Sequence, residues 1–216
     1  TGLRREEQRH DVPSEERIDP VTGKPLPQVG EIVSEELDYR RGELVVIVHR
    51  QPIYDLPPEE AEHRRMQPVT AELPPRPLEN CAASAGLLAW LFVQKYGNHL
   101  PLYRQAQIYS RQGVDLDRST LADWVGRAAF ELRPVHDALM ADLKRSTKLF
   151  MDETRAPVLD PGARKTKTGY FWALARDDRP WGGTAPPGVV FTYAPGRGGQ
   201  HAERILQGFG GILQVD

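Results

Sequence analysis

Residues 148–153 of the 216-residue chain read KLFMDE, an apolar strand pattern followed by an aspartate, Asp152. Two further strand patterns follow at residues 169–176 (GYFWALAR) and 188–193 (GVVFTY). Both are rich in the β-branched and aromatic residues that favour strands, and turn-forming residues separate them. The sequence therefore predicts three short strands in succession.

A helix and a fourth strand complete this region. Residues 200–207 have a helical pattern, and two glycines then lead into residues 212–216 (ILQVD), which end on Asp216. The order strand, strand, strand, helix, strand over residues 148–216 resembles the beginning of a ribonuclease H-like domain. In that fold, nucleases and transposases hold acidic metal ligands on neighbouring strands. We therefore expect the first half of such an α/β domain at residues 147–216.

Asp152 and Asp216 have matching positions, since each closes an apolar strand. Two carboxylates on adjacent strands can hold a pair of Mg²⁺ ions about 4 Å apart, which activate a hydroxyl and stabilise the leaving oxygen in phosphodiester chemistry. The pattern equally allows Asp152 to be a simple strand-end residue. Glu153 points to the opposite strand face by alternation and is the weaker candidate. Asp152 and Asp216 are the candidate catalytic and metal-binding residues.

Composition excludes several classes of protein. The chain has no stretch of about 18 uncharged apolar residues, and its start lacks the apolar core of a signal peptide, so we expect no membrane span and a cytoplasmic location. Cys81 is the one cysteine, which excludes an internal disulfide and a multi-cysteine zinc site. A small-molecule hydrolase is not favoured, because no nucleophile can be identified.

The net charge of −2 hides two different halves. Residues 1–80 carry 11 basic and 17 acidic side chains with 11 of the 19 prolines, whereas residues 81–216 carry 17 basic and 13 acidic ones. Arginine outnumbers lysine by 22 to 6, and its planar guanidinium suits phosphate recognition. Solvated arginines would explain this excess as well.

The expected fold class is α+β. A hairpin of two strands is predicted between residues 29 and 54, and helices are predicted at residues 82–96, at 102–112 and from Asp117 or Ser119 to about Lys144. The expected organisation, in chain order, is a disordered segment at residues 1–13, a small β-rich module at 14–56, a proline-rich linker at 57–79, a helical block at 80–146 and the half domain at 147–216.

Within the helical block, the two helices that flank Gly113 have the outline of a helix-turn-helix. The candidate DNA-binding residues are the arginines around it, Arg104, Arg111, Arg118 and Arg127. Phosphate contacts suit such side chains. The alternative is a helix pair that serves packing only, because the connection is long for this motif and Asp123 on the second helix would repel DNA.

Several long strings resemble one protein family. Residues 94–105 (QKYGNHLPLYRQ), 108–114 (IYSRQGV) and 118–124 (RSTLADW) closely resemble the central region of bacterial insertion sequence 66-type transposases. The strings MDET at residues 151–154 and GGILQVD at residues 210–216 are similar to the family's first and second catalytic-aspartate segments.

This resemblance implies a DDE-type transposase that cuts and joins DNA with Mg²⁺ or Mn²⁺. Asp152 and Asp216 would be metal ligands in the intact enzyme, and the implied partners are the DNA of the element's ends and of its target. It also implies a homo-oligomer in the transposition complex. The family's third acidic ligand lies downstream of the second aspartate, beyond Asp216, so we expect no catalysis by this polypeptide alone.

Many family members carry cysteine pairs, resembling a zinc site, in the module before the proline linker. The matching stretch here, residues 18–26, contains no cysteine, so we expect no zinc. The competing interpretation is a DNA-binding or assembly remnant of a transposase that retains no catalysis, which the end of the chain at Asp216 favours.

Overall fold

The computed structural model describes residues 2–40, 42–160, 162 and 165–215 of the chain. It divides into two compact units, Thr1–Glu131 and Leu132–Asp216, and the architecture is α+β, as predicted. We expected the boundary between residues 146 and 147. It falls earlier, because the helix that precedes the second sheet packs on that sheet. None of the helices in the described ranges has the length and apolar character that a membrane span needs.

The sheet of the first unit has three strands, β1 (Arg5–Arg9), β2 (Gln28–Arg40) and β3 (Glu43–Tyr54). β2 and β3 form the predicted antiparallel hairpin, and β1 lies parallel to β3 on its other side. The expectation of disorder over residues 1–13 is therefore wrong for β1. Its sequence is too polar to signal a strand, but its backbone bonds to β3, which would otherwise be an edge strand.

Four helices follow in this unit: α1 (Pro58–Ala61), α2 (Ala85–Phe92), α3 (Leu102–Arg111) and α4 (Arg118–Glu131). α2 continues into a π-helical turn at Val93–Gly97, so together they cover most of the helix predicted at residues 82–96. α4 ends where the third predicted helix is interrupted, just before Pro134.

The sheet and the helices of this unit share one core. Leu44 of β3 lies in the same buried cluster as Leu87 of α2 and Leu121 of α4. Leu78, from the segment we expected to be a linker, is buried in it too. The β-rich stretch at residues 14–56 therefore belongs to the same compact unit as the helices, although Leu26, Tyr54 and Leu56 also form a smaller cluster with Val12.

Specific contacts fix α2 on β2. Ser84 caps the helix, since its Oγ accepts a hydrogen bond from a backbone N–H of α2 at 3.0 Å. The same hydroxyl donates to the buried carboxylate of Asp38. The rings of Tyr39 and Trp90 stack with their centroids 3.9 Å apart. The last two contacts join residues that are more than 40 positions apart in the sequence.

The second unit consists, in chain order, of α5 (Arg133–Leu143), β4 (Lys148–Asp160), β5 (Lys165–Arg176), β6 (Gly188–Ala194), α6 (Gly199–Leu206) and β7 (Ile212–Gln214). The strands lie in the order β6-β5-β4-β7. β4, β5 and β6 are antiparallel neighbours, whereas β7 is parallel to β4. A parallel partner needs a crossover connection, which contains α6. The succession of three strands, a helix and a fourth strand is the predicted one. The expectation that Asp152 closes its strand is wrong, because pairing with β5 extends β4 to Asp160.

Helices cover one face of this sheet. Leu143 of α5 and Ile205 of α6 are buried with Leu149 and Leu174 of the strands. On the opposite face the described residues leave apolar side chains exposed, and Phe191 of β6 is 59% exposed. The second sheet therefore has a packed face and an open face.

Arg176, at the end of β5, anchors α5 to the sheet. Its guanidinium is 9% exposed, pairs with the Asp142 carboxylate at 2.8 Å and donates to the Pro186 carbonyl at 2.9 Å. The hydrogen bond from Arg176 lowers the pKa of Asp142, whose side chain is 39% exposed. A buried guanidinium with this many partners has a structural role.

Candidate functional site

Asp152 lies in the middle of the second sheet, on β4, opposite Ala173 of β5. Its side chain is exposed, and Oδ1 accepts a hydrogen bond from the backbone N–H of Glu153 at 2.8 Å. In the part of the chain that the structure describes, no arginine or lysine forms an ion pair with this carboxylate. Asp152 is therefore an exposed carboxylate that solvent and ligands can reach.

β7 runs beside the strand that carries Asp152. Its parallel register with β4 places Lys148 opposite Ile212 and Phe150 opposite Gln214. Asp152 stands two positions after Phe150 in the sequence, as Asp216 stands two positions after Gln214. Asp216 itself lies outside the described residues.

A glycine allows β7 to approach β4. A Cβ at Gly211 would lie 2.5 Å from the backbone carbonyl oxygen of Thr147, far inside van der Waals contact. Ile212 donates its backbone N–H to the same carbonyl at 2.8 Å, which starts the parallel pairing. A Cβ at Gly210, in contrast, would meet nothing within 4 Å. Of the two glycines before β7, Gly211 is the one that the close approach requires.

Two shallow depressions meet at Asp152. One is lined by Phe150, Ala173 and Gln214 beside Asp152. The other is lined by Glu153, Trp172 and Arg197, among others, and Asp152 borders it as well. Asp152 thus borders both depressions, and Glu153 lines the second one together with Arg197.

Glu153 has a cationic partner that the sequence did not reveal. Its Oε1 lies 2.8 Å from Nη2 of Arg197, which stands in the turn between β6 and α6. The pair joins residues 44 positions apart, so only the tertiary structure brings them together. The one sequence signal is that Arg197 stands among glycines, in the string GRGG at residues 196–199.

The four arginines predicted to contact DNA differ in their surroundings. Arg104, Arg111 and Arg118 are exposed on α3 and α4. Arg127 is partly buried, pairs with Asp123 at 3.6 Å and donates to the backbone carbonyl of Glu79. Arg127 therefore ties α4 to the segment before α2 and has a structural role, whereas the other three can reach a ligand.

The donor atoms present fit a hard divalent cation. Asp152 offers oxygen, the ligand type that Mg²⁺ and Mn²⁺ prefer, on an open surface. Within the described ranges, no group of three or more histidine, cysteine, aspartate or glutamate side chains is placed to hold a metal ion. Asp152 thus supplies one ligand, and a complete site needs further oxygen atoms.

The stretch at residues 18–26, where we expect no zinc, is closed by hydrogen bonds. The buried Asp19 carboxylate accepts from the hydroxyl of Thr22 at 2.5 Å and from the backbone N–H of Val21 at 3.0 Å. Arg64 pairs with the same carboxylate at 2.5 Å. The hydrogen bonds from Thr22 and Arg64 lower the pKa of Asp19 to about 2. This turn is therefore held by a carboxylate network.

Comparison with known proteins connects this geometry to a family. A family model described as "Transposase IS66 family" matches residues 80–216. The chain is also 44% identical over 188 residues to the uncharacterized protein y4qI of Sinorhizobium fredii, an alignment that covers 87% of this chain and 34% of y4qI. A second protein of that organism, y4jD, is 43% identical over 191 residues, covering 88% of this chain and 36% of y4jD.

The match assigns residues 80–216 to a transposase domain. It agrees with the resemblance to transposases noted in the sequence. The chain belongs to the IS66 family of transposases. It spans about a third of the length of the relatives named above. The matched region contains the second unit entirely, together with α2, α3 and α4 of the first.

Proposed function

We propose that the chain is part of a DDE-type transposase and that Asp152, together with Asp216, binds the divalent metal ions used for DNA cleavage and strand transfer. The observation that carries this proposal is the exposed carboxylate of Asp152, without a cationic partner in the described residues, on a strand that runs parallel to β7. Its Oδ1 accepts the backbone N–H of Glu153, which leaves the other carboxylate oxygen available to a ligand.

The topology of the second unit supports the proposal. Three antiparallel strands followed by a helix and a strand parallel to the first are the order expected for the first half of a ribonuclease H-like domain. The register adds to it. In the sequence, Asp152 and Asp216 each stand two positions after the last paired residues of β4 and β7, which are Phe150 and Gln214.

The chain's residues have separate tasks in this proposal. Asp152 provides carboxylate oxygen, and a bound Mg²⁺ would supply the activation of a hydroxyl and the stabilisation of the leaving oxygen. The exposed guanidinium groups of Arg104, Arg111 and Arg118 bind backbone phosphates, which supplies affinity without sequence information. The open depressions at Asp152 leave room for a phosphodiester.

The test is strand cleavage by the whole transposase that contains this chain. Labelled duplexes that carry the ends of the element are incubated with the protein and Mg²⁺ or Mn²⁺. We expect metal-dependent cleavage that Asp152→Asn abolishes while DNA binding is retained. Cleavage by the Asp152→Asn protein at the wild-type rate would contradict the assignment of this residue.

The same experiment separates the enzyme from a remnant that only binds DNA. Metal-independent binding without cleavage, in wild type and Asp152→Asn alike, would favour the remnant. The exposed arginines of α3 and α4 are compatible with either function, so their variants do not distinguish the two.

A further inference from the structure

Arg197 is a basic residue of the second unit that does not belong to the four arginines predicted to bind DNA. It lies in the turn between β6 and α6, its side chain is 64% exposed, and its Nη2 pairs with Oε1 of Glu153 at 2.8 Å. The side chain of Glu153 is 21% exposed, so the acidic partner of the pair is mostly buried while the arginine is mostly accessible to solvent. One edge of Arg197 is therefore fixed to β4 while the rest faces solvent.

This ion pair brings a cation to the proposed metal ligand. Glu153 directly follows Asp152 on β4, and Arg197 and Asp152 border the same depression. A guanidinium beside a metal-binding carboxylate lowers the affinity for cations, so its presence is not explained by metal binding. An anion that binds in the same depression would account for it.

The chemistry of arginine identifies the anion. A guanidinium has five N–H donors in a planar fork, and a phosphodiester accepts two of them in parallel. The Glu153 contact uses Nη2, and the exposed remainder of the group offers donors to a second acceptor. In a DNA-cleaving protein, the anion found next to the metal is the phosphate backbone of the substrate.

We propose that Arg197 binds a DNA backbone phosphate beside Asp152, in exchange with or in addition to its contact with Glu153. This inference rests on the proposed function, because it takes the substrate to be DNA. It names Arg197 as a substrate-positioning residue of that site. Glu153 neutralises the guanidinium in the absence of DNA and competes with the phosphate for it.

Three variants of the purified chain test the proposal by their affinity for a fluorescent duplex over a range of salt concentrations, without metal. Arg197→Ala should weaken binding about tenfold at low salt and reduce the slope of log K against log salt by about one. Arg179→Ala is the matched control, since Arg179 is 68% exposed and pairs with Asp177 at 2.7 Å in another turn of the same unit. It should change the affinity less than twofold.

Glu153→Gln separates a phosphate contact from a structural ion pair. It keeps an oxygen that can accept from Arg197 but removes the competing charge, so binding should equal or exceed that of wild type. A purely structural pair predicts the reverse, with Arg197→Ala and Glu153→Gln weakening binding alike. Thermal unfolding of each variant shows that the proteins compared are folded.

The outcomes distinguish this proposal from the one on which it rests. Absence of DNA binding by the wild-type chain would contradict both. Wild-type binding with equal affinities for Arg197→Ala and Arg179→Ala would overturn the role of Arg197 alone and leave the metal site at Asp152 untouched. Weaker binding by Glu153→Gln would overturn it as well.

Discussion

The buried aspartates of the first unit and Asp152 of the second unit have different surroundings. In the first unit the buried aspartates have cationic partners: Asp19 pairs with Arg64, and Asp38 pairs with Arg40 at 2.6 Å. In the second unit Asp152 is exposed and has no such partner in the described residues. Its neighbour Glu153 is paired, so a cation is available nearby but lies against the other carboxylate.

This difference separates carboxylates that stabilise the fold from one that does not. A buried carboxylate is stable only when it is paired and hydrogen-bonded, and the first unit meets that requirement. Asp152 is exposed on β4 and contributes little to folding, so its carboxylate is accessible to a ligand.

The largest effect on stability is expected for the ion pair of Arg176 and Asp142 in the second unit. Arg176→Ala removes the partner of Asp142 and the donor to the Pro186 carbonyl, and should lower the free energy of unfolding by about 3 kcal/mol. Urea denaturation followed by the fluorescence of the buried Trp172 measures the loss. Arg179→Ala, an exposed pair, should cost less than about 1 kcal/mol. Equal costs would contradict the distinction.

Gly211→Ala should destabilise the second unit by about 2 kcal/mol, because the added Cβ would collide with the Thr147 carbonyl and push β7 from β4. Gly210→Ala is the matched control, since its Cβ would meet nothing within 4 Å. Thermal unfolding of both variants measures the difference. If both glycines tolerate alanine equally, the parallel pairing of β7 is not as close as described.

Ser84→Ala should cost the first unit about 1–2 kcal/mol, because α2 loses its cap and the Asp38 carboxylate loses a donor. Chemical denaturation followed by Trp90, which stacks on Tyr39, measures this change. Ser119→Ala, at an exposed position of α4, serves as the control and should be close to neutral. A neutral Ser84→Ala would show that the sheet and α2 are less tightly coupled than their contacts indicate.

The last effect depends on pH and disappears in acid. The folded-state pKa of Asp19, about 2, lies below the ordinary value of 3.8. Its contribution to stability is therefore complete above about pH 4 and is lost as the pH falls towards 2. Melting temperatures of wild type and Asp19→Asn should converge over that interval and differ above it. A constant difference down to pH 2 would contradict the lowered pKa.

Local patterns predicted much of the second unit. Alternation along residues 148–153 indicated β4 and placed Asp152 and Glu153 on different faces, and the glycines and the apolar residues after them indicated β7. The strings shared with transposases led to the family. The assignment of Asp152 and Asp216 to metal stays a prediction, and Asp216 lies outside the described residues.

Long-range pairing could not be read from the sequence. Strand β1 reads REEQR and has no apolar alternation. It forms through backbone pairing with β3, which its own side chains do not indicate. The pair of Glu153 and Arg197 likewise depends on how the turn before α6 returns to β4. The shared core of the first unit was missed for the same reason, since prolines at residues 57–79 indicated a spacer.

The proposed role of Asp152 as a metal ligand can be tested by a Mn²⁺ titration of the isotopically labelled chain, followed by NMR. Paramagnetic Mn²⁺ should broaden the amide signals of residues around Asp152, such as Phe150 and Val215, at substoichiometric concentrations. Asp152→Asn should abolish this local broadening, and Asp160→Asn, farther along the same strand, should preserve it. Unchanged broadening around Phe150 in Asp152→Asn, or broadening only elsewhere in the wild-type chain, would contradict the account.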